Sequence, residues 1–312
     1  MTLFSKVIFN DEPADGWLPW GAFAPVLAFV LFNIPLIAVM IGIMKPLGFV
    51  DENIDPTGPI GMAFMLFGAF GLAGCLFVLW VKYVERRPFS SVGLRGANPL
   101  RTFARGHLIG IGLMLVIITT IWAFGGYTVG SIAPALTSPI GLFHITLLLL
   151  GFAVQSSIEE FVFRGWLLSV LTRRFNLLAA ILVSSTLFMF MHFNPEAPLT
   201  DHISVYAFSF FACAWVVKTG NIWGVMGWHA GWNWITAVGF EVPVTGLDVG
   251  TPALIAQLAP IGSDFLTGGE MGPEGSIITQ IVLVLATIVV ILGPQTLRQL
   301  KELNRETSSG TY

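Results

Sequence analysis

Eight long apolar segments constrain the fold of this chain more than any other feature. They cover residues 20–44, 61–81, 108–122, 139–168, 177–190, 203–217, 222–240 and 277–292. A run of about 20 apolar residues is long enough to cross the hydrocarbon core of a bilayer, where only helices and closed barrels satisfy their backbone hydrogen bonds. Because the apolar residues run continuously instead of alternating with polar ones, the segments predict helices.

The composition agrees with a membrane protein and leaves no room for a large soluble domain. Only 11% of the 312 residues are charged and the mean hydropathy is +0.80, whereas soluble domains are about 25% charged. The sequence therefore predicts an all-α polytopic membrane helical bundle with about eight transmembrane helices. Residues 1–306 are predicted to form a single transmembrane domain, followed by a flexible C-terminal tail at 307–312.

The cationic residues predict the orientation of the bundle. If the N-terminus lies inside and the chain crosses eight times, nearly all lysines and arginines outside the membrane face the inner side, and acidic residues dominate the outer loops. The inner cations are Lys6, Lys82, Arg86, Arg87, Arg95, Arg101, Arg105, Arg173, Arg174, Lys218, Arg298, Lys301 and Arg305, and only Lys45 falls outside. By the positive-inside rule both termini are predicted to be cytoplasmic. The basic loop and the absence of organelle signals favour a multi-pass protein of a bacterial plasma (inner) membrane.

Two loops carry further expectations. The basic segment 85–106 is predicted to lie on the cytoplasmic surface, where its arginines either contact anionic lipid headgroups or act only as topology determinants. The outer loop 241–276 is rich in glycine and proline, and its middle, PALIAQLAP, is predicted to form a short interfacial helix. Membrane lipids are thus predicted partners, and no nucleic-acid partner is predicted.

Three ionisable residues lie inside the fourth apolar segment, in the sequence QSSIEEFVFRG. A charged side chain at the bilayer centre costs about 2.5–3.5 kcal/mol on insertion scales, so such residues are usually paired and functional. Glu160 and Arg164 are four residues apart and share a helix face, which predicts an ion pair within the helix. Glu159 lies about 100° around the helix from Glu160, so it is predicted to have a different partner.

The next segments supply candidate partners for Glu159. If the fourth and fifth segments form an antiparallel hairpin that turns at residues 174–175, Glu159 and His192 lie at the same height. In the seventh segment, His229 and Asn233 are four apart and share a face, and the small residues between them favour close helix packing. We therefore expect these four side chains to gather in a pocket that opens towards the cytoplasm.

Such a pocket has the groups needed for amide hydrolysis without a nucleophilic serine or cysteine. A carboxylate beside an imidazole activates water as a general base. A second imidazole and a carboxamide donate hydrogen bonds to a developing oxyanion.

At these residues the chain resembles the CPBP family, the CAAX prenyl protease and bacteriocin-processing intramembrane proteases. The family motifs EExxxR, FxxxH and HxxxN correspond here to Glu159-Glu160-x-x-x-Arg164, Phe188-x-x-x-His192 and His229-x-x-x-Asn233. The resemblance covers roughly residues 80–240, with the motifs in about 140–240. It implies that Glu159 and His192 activate water, that His229 and Asn233 stabilise the oxyanion, and that Glu160 and Arg164 form a structural pair.

Two alternatives stay open at this level. The leading function is an intramembrane endopeptidase that cleaves a peptide precursor or a membrane protein, and since no HExxH is present we favour a metal-free mechanism without cofactor. In the zinc alternative, Glu159, His192 and His229 are the ligands and water takes the fourth position. The second function is a non-catalytic immunity, accessory or scaffold protein that binds a partner in a membrane-protein complex.

Overall fold

The computed structural model describes residues 14–293, and in this part of the chain eight long helices pack into one bundle. The helices are α1 (Ala24–Met44), α2 (Gly58–Val84), α3 (Pro99–Ala123), α4 (Pro139–Arg174), α5 (Leu177–Met191), α6 (Leu199–Thr219), α7 (Trp223–Gly239) and α8 (Ile277–Leu292). The predictions about Lys6, Arg298, Lys301, Arg305, the two termini and the tail at 307–312 lie outside the described residues.

The prediction of a polytopic helical membrane bundle is confirmed. Among residues 14–293, α1 to α4 and α6 are long and apolar enough to cross a membrane, and α5 and α8 are shorter apolar helices. The exact number of crossings and the side on which the termini lie stay predictions.

Local sequence explains where several helices begin. A proline occupies the first turn of each of the helices α1 to α4, where its missing N–H costs nothing because that donor has no partner within the helix. The side chains of Asn176 and Ser276 accept backbone hydrogen bonds at the starts of α5 and α8, as N-cap residues do.

Short π-helical and 3₁₀-helical segments also occur, within the long helices and in the loops. π-Helical stretches end α1 at Met40–Met44, interrupt α2 at Met65–Ala69, end it at Trp80–Val84, and interrupt α4 at Phe161–Leu167. The loops contain 3₁₀ turns at Phe89–Val92, Pro134–Thr137, Gly269–Met271 and Pro273–Gly275 and one α-helical turn at Asp264–Thr267. π-Helical insertions often occur at functional sites, and the one in α4 follows Glu160 directly.

The described residues also include one two-stranded antiparallel sheet, formed by β1 (Tyr127–Ile132) and β2 (Ala256–Pro260). The interfacial helix predicted for PALIAQLAP is therefore wrong. This segment runs back along the end of α7, where the amide groups of Leu254 and Ile255 donate to the carbonyls of Val238 and Gly239. An isolated helix of this length is only marginally stable, so pairing with β1 and with the end of α7 prevails.

Helices α3 and α7 pack with their backbones in direct contact. A Cβ atom added at Gly231 would overlap the carbonyl oxygen of His107, and one added at Gly110 would overlap that of Trp228. Small residues permit this close approach between membrane helices, as the sequence of α7 predicts. The contact fixes the rotation of α7 and turns the opposite face, with His229 and Asn233, towards α4.

Helices α4 and α5 form the predicted hairpin. Helix α4 ends at Arg174 and α5 begins at Leu177, and the rings of Phe163 and Phe188 lie 5.1 Å apart, centroid to centroid. These two residues lie at equal distances along the chain from the turn, as Glu159 and His192 do. The register of the hairpin therefore agrees with the prediction.

A buried polar cluster braces the end of the bundle that the charge pattern places inside. The carboxylate of Glu85 accepts hydrogen bonds from Trp80 and Trp166 at 3.0 and 2.7 Å and pairs with Arg87 at 2.7 Å. Arg87 also donates to Ser169 Oγ at 3.0 Å. Burial lowers the pKa of Arg87, and the Glu85 carboxylate opposes this shift. A role in lipid binding is therefore wrong for Arg87, because its guanidinium is buried against α4.

Candidate active site

The polar motif residues line one cavity in the bundle. Its volume is about 200 Å³, and its polar wall comprises Gln155, Glu159, His192, His229 and Asn233. The remaining wall is largely apolar and comes from the first half of α2, from α4 and from the outer loop: Met62, Met65, Leu66, Phe70, Phe152, Val244, Thr245 and Leu247. The structure thus brings together all four residues that the sequence assigns to catalysis.

His229 lies between the two glutamates of the first motif. Its Nδ1 is 2.8 Å from Glu160 Oε1, and its Nε2 is 3.6 Å from Glu159 Oε2. Since an ionised carboxylate only accepts hydrogen bonds, Nδ1 carries the proton and donates it to Glu160. The other ring nitrogen, Nε2, then faces Glu159. Glu159 thus faces a different group from the Arg164 that pairs with Glu160, although the same imidazole also contacts Glu160.

Glu160 also forms the predicted ion pair within its helix. Arg164 Nη1 lies 3.1 Å from Glu160 Oε1, and both side chains are fully buried. The guanidinium lies 4.1 Å from the centroid of the Phe188 ring, an arrangement favourable for a cation–π interaction. Glu160 therefore connects its ion pair with Arg164 to the imidazole of His229. Sequence spacing alone does not reveal this connection.

Glu159 has the least satisfied carboxylate of the site. Its side chain is 5% exposed, and its Oε2 has no hydrogen-bond partner within residues 14–293. Burying an acceptor without a donor costs about 1–3 kcal/mol, more if it is charged. The Glu159 side chain lines the cavity, which has room for several water molecules, so a donor from solvent or substrate can approach this carboxylate.

His192 faces the same cavity from the end of α5, yet it does not contact Glu159 directly. Its Nδ1 is 2.9 Å from the carbonyl oxygen of Phe188, and among the described residues no hydrogen bond or ion pair joins it to Glu159. His192 is the first residue after the last helical residue of α5, so its side chain no longer follows the helical direction assumed for the hairpin. The two side chains share a cavity wall and leave space between them.

Asn233 is held by a residue that the sequence analysis did not single out. Its Nδ2 donates to Gln155 Oε1 at 3.3 Å, and Gln155 also accepts from Ser156 at 2.9 Å. Gln155 stands one helical turn before Glu159 and lines the cavity beside it. The four-residue spacing from Glu159 was the available signal, because residues at that spacing share a helix face.

A second, smaller space of about 30 Å³ adjoins the first, and it introduces residues from the outer loop. His192, His229 and Asn233 line it together with Thr245, Met271 and Glu274. Glu274 belongs to an acidic outer loop in the charge pattern, but it is 93% buried. Burial raises the pKa of Glu274, while hydrogen bonds from Thr245 and Trp232 oppose the shift. No local pattern marks Thr245 or Glu274, since only the folded loop brings them to the site.

The walls of both spaces reach the outer end of the bundle. They include residues from the first half of α2 and from the loop between α7 and α8, and this loop lies at the end that the charge pattern assigns to the outside. A site that meets this loop does not open towards the cytoplasm if the N-terminus is inside. The two predictions, cytoplasmic opening and charge-based orientation, are therefore incompatible with each other in this fold.

Two of the three side chains in the predicted zinc site lie close together, with Glu159 Oε2 3.6 Å from His229 Nε2. A zinc ion needs its ligand atoms to converge at about 2.0–2.2 Å. Within residues 14–293 no group of three His, Cys, Asp or Glu side chains is arranged to hold a metal ion. The choice between the metal-free and the zinc mechanism stays a prediction.

Comparison with known proteins identifies the segment that carries the three motifs. Residues 141–235 match a family model described as Rce1-like, type II CAAX prenyl endopeptidase. The match spans somewhat under a third of the chain and includes α4 to α7 up to Ile235. It confirms the resemblance to CPBP proteases. Comparison with curated proteins and with solved structures gives no match.

Proposed function

We propose that this chain, whose residues 141–235 match the Rce1-like family model, is an intramembrane endopeptidase that hydrolyses a peptide bond with water activated by Glu159. The family description supports a protease of the CAAX type as the general activity. The proposal adds the mechanism, the residues and a substrate that is a peptide precursor or a membrane protein.

One observation carries the mechanism. The side chains of Glu159 and His229 line the cavity together, with Oε2 of Glu159 3.6 Å from Nε2 of His229. With a neutral imidazole, Nε2 accepts hydrogen bonds as the carboxylate does. Two acceptors at this separation are both satisfied by one water that donates a hydrogen to each. The lone pairs of that water then point into the cavity, where a substrate carbonyl carbon lies within reach.

The reaction then proceeds by general base catalysis. Glu159 takes a proton from the water while the oxygen bonds to the carbonyl carbon. The carbonyl oxygen becomes an oxyanion and accepts a hydrogen bond from Asn233 Nδ2, whose other hydrogen is held by Gln155. The carbon–nitrogen bond breaks as Glu159 returns the proton to the leaving nitrogen, which yields a carboxylic acid and an amine.

The two histidines support this chemistry in different ways. Glu160 fixes the tautomer of His229, and a neutral His229 has no N–H left for an oxyanion, so its part is to hold the water. The Phe188 carbonyl orients His192 in the same manner. With the proton on Nδ1, Nε2 of a neutral His192 is an acceptor, and the side chain lines the cavity, which supports the water-activating role that the resemblance implies for it.

Replacement of the proposed base tests this mechanism. Glu159→Gln keeps the side-chain shape but removes the base, and general base catalysis contributes about 10²–10⁴-fold. We expect purified Glu159→Gln protein in lipid nanodiscs to lose at least about 100-fold in turnover at unchanged melting temperature. Substrates for the assay come from comparing the membrane peptidomes of wild-type and Glu159→Ala cells. The matched control is Glu196→Gln, which makes the same change in an exposed loop. Wild-type turnover by Glu159→Gln would refute the mechanism.

The same variant separates the enzyme from the non-catalytic alternative. An immunity, accessory or scaffold protein binds its partner without the base. Glu159→Gln would then fully complement cells that lack the wild-type protein. A protease predicts no rescue. Metal analysis of the purified active protein addresses the zinc mechanism: stoichiometric zinc, with activity lost on chelation and restored by the metal, would replace the metal-free proposal.

We also propose that the site lies in the extracytoplasmic half of a bacterial plasma membrane. The distribution of lysine and arginine supports this orientation, and it revises the expected cytoplasmic opening. In a protein without Cys75 and Cys213, the single substitutions Arg101→Cys and Glu196→Cys place one reactive thiol at each end of the bundle. An impermeant maleimide added to intact cells should label the cysteine at 196 and spare the one at 101. The reverse labelling would return the site to the cytoplasmic side.

A further inference from the structure

The outer loop places a strained turn at the mouth of the cavity. Val244 and Leu247 bond to each other through both backbone pairs, so Thr245 and Gly246 form the tip. Both have positive φ, +50° and +81°, as in a type I′ turn, where glycine, asparagine and aspartate are the usual residues. A β-branched threonine in this region is a genuine outlier.

A buried carboxylate holds Thr245 in this conformation. Glu274 accepts hydrogen bonds from the backbone N–H of Thr245 and, at 2.9 Å, from its hydroxyl, both on Oε2. Its Oε1 accepts from Trp232 Nε1 at 2.7 Å. Trp232 precedes Asn233 in α7, so Glu274 connects the loop to the helix that bears two of the motif residues.

Strain of this kind persists only where the surroundings enforce it, and it concentrates at functional sites. Thr245 lines both spaces of the site with His192, His229 and Asn233. It is nevertheless exposed, so an entering substrate meets it at the mouth. Because its hydroxyl hydrogen points to Glu274, the lone pairs of Oγ1 remain available to the cavity.

We propose that Thr245 is a substrate-binding residue whose hydroxyl accepts a hydrogen bond from a backbone N–H of the peptide beside the scissile bond, and that Glu274 is the residue that positions it. This inference rests on the proposed function. It extends the site beyond residues 141–235 to a loop that the family model does not cover.

The contact predicts a separation of KM from kcat. A hydrogen bond to a peptide N–H that does not react is made equally in the ground state and the transition state, so its loss raises KM and leaves kcat unchanged. For Thr245→Ala we expect KM to rise about 10-fold, which corresponds to about 1.4 kcal/mol. Thr245→Ser keeps the hydroxyl and should stay within about threefold of wild type. Thr251→Ala removes a buried hydroxyl from the same loop away from both spaces and is the matched control.

The melting temperature, measured together with KM, distinguishes a substrate-binding role of Thr245 from a purely structural one. Glycine accommodates positive φ without steric cost, so Thr245→Gly should melt at or above the wild-type temperature and still show the raised KM. If Thr245 has only a structural role, Thr245→Gly should show the wild-type KM. For Glu274→Gln we expect faster amide hydrogen exchange across residues 244–247 together with raised KM, and no additional KM effect when it is combined with Thr245→Ala.

The assay uses an internally quenched peptide with the sequence of a cleavage site found by the peptidome comparison. Its affinity for the Glu159→Gln protein measures contact without chemistry, and Thr245→Ala in that background should weaken binding about 10-fold. Unchanged affinity overturns the substrate contact even if Glu159 proves essential. Wild-type turnover by Glu159→Gln overturns the mechanism instead, and unchanged exchange at 244–247 in Glu274→Gln overturns the positioning role.

Discussion

Glu160 makes two contacts, and the variant Glu160→Gln allows their roles to be separated. The carboxylate pairs with Arg164 at 3.1 Å and accepts from His229 at 2.8 Å, and neither Glu160 nor Arg164 has solvent exposure. Removing one partner of a buried ion pair leaves an uncompensated charge, at a cost of about 3–5 kcal/mol. At roughly 2 °C per kcal/mol for a large domain, the melting temperature should fall by about 6–10 °C.

The double variant Glu160→Gln/Arg164→Met should recover stability without recovering activity. Replacing both partners of a buried pair with uncharged side chains is often neutral or stabilising. Methionine also keeps a favourable contact with the Phe188 ring, since sulfur packs well against aromatic rings. His229, however, still lacks a charged acceptor that fixes its tautomer, so turnover should remain about 100-fold low, by analogy with carboxylates that orient other catalytic or metal-binding histidines.

Thermal unfolding in nanodiscs and turnover of the quenched peptide, measured well below the melting temperature, test both statements. If the double variant regains wild-type turnover along with stability, the contact between Glu160 and His229 has no functional role. If Glu160→Gln alone melts like the wild type, the argument from buried charge is refuted.

Three other changes test separate parts of the molecule. Gly231→Ala introduces a Cβ that overlaps the His107 carbonyl, and we expect it to lower the melting temperature and the yield of folded protein, as measured by size-exclusion chromatography. Gln155→Ala frees the Asn233 amide and should lower kcat about 10-fold, the effect of roughly one hydrogen bond, with KM unchanged in the peptide assay. Glu85→Gln, in the brace at the opposite end of the bundle, should lower the melting temperature while turnover per folded molecule stays at the wild-type value.

The orientation of the motif residues shows how far sequence spacing reaches. Residues four apart on one helix share a face, so the ion pair between Glu160 and Arg164 was predictable from spacing alone. The hairpin register also followed from counting residues about the turn. The contacts of His229 with both glutamates did not follow, because they join α7 to α4 and depend on the rotation that the glycine contacts with α3 impose on α7.

The loop between α7 and α8 shows the same limit more strongly. Its glycines and prolines predict a loop, but not a strand paired with β1 or a turn tip at Thr245. Glu274 has the sequence context of a solvated acid. It becomes buried only because the fold places Trp232 and the Thr245 backbone where they donate to it.

The amino-acid sequence by itself determined the apolar helices and the membrane class, because these depend on local hydrophobicity and on composition, and its resemblance to the CPBP family indicated the motif residues. The tertiary structure alone decided which nitrogen of His229 faces which glutamate, which loop the cavity meets, and which residues of that loop complete it. These features depend on contacts between residues far apart in the chain, whose geometry arises only when the helices pack.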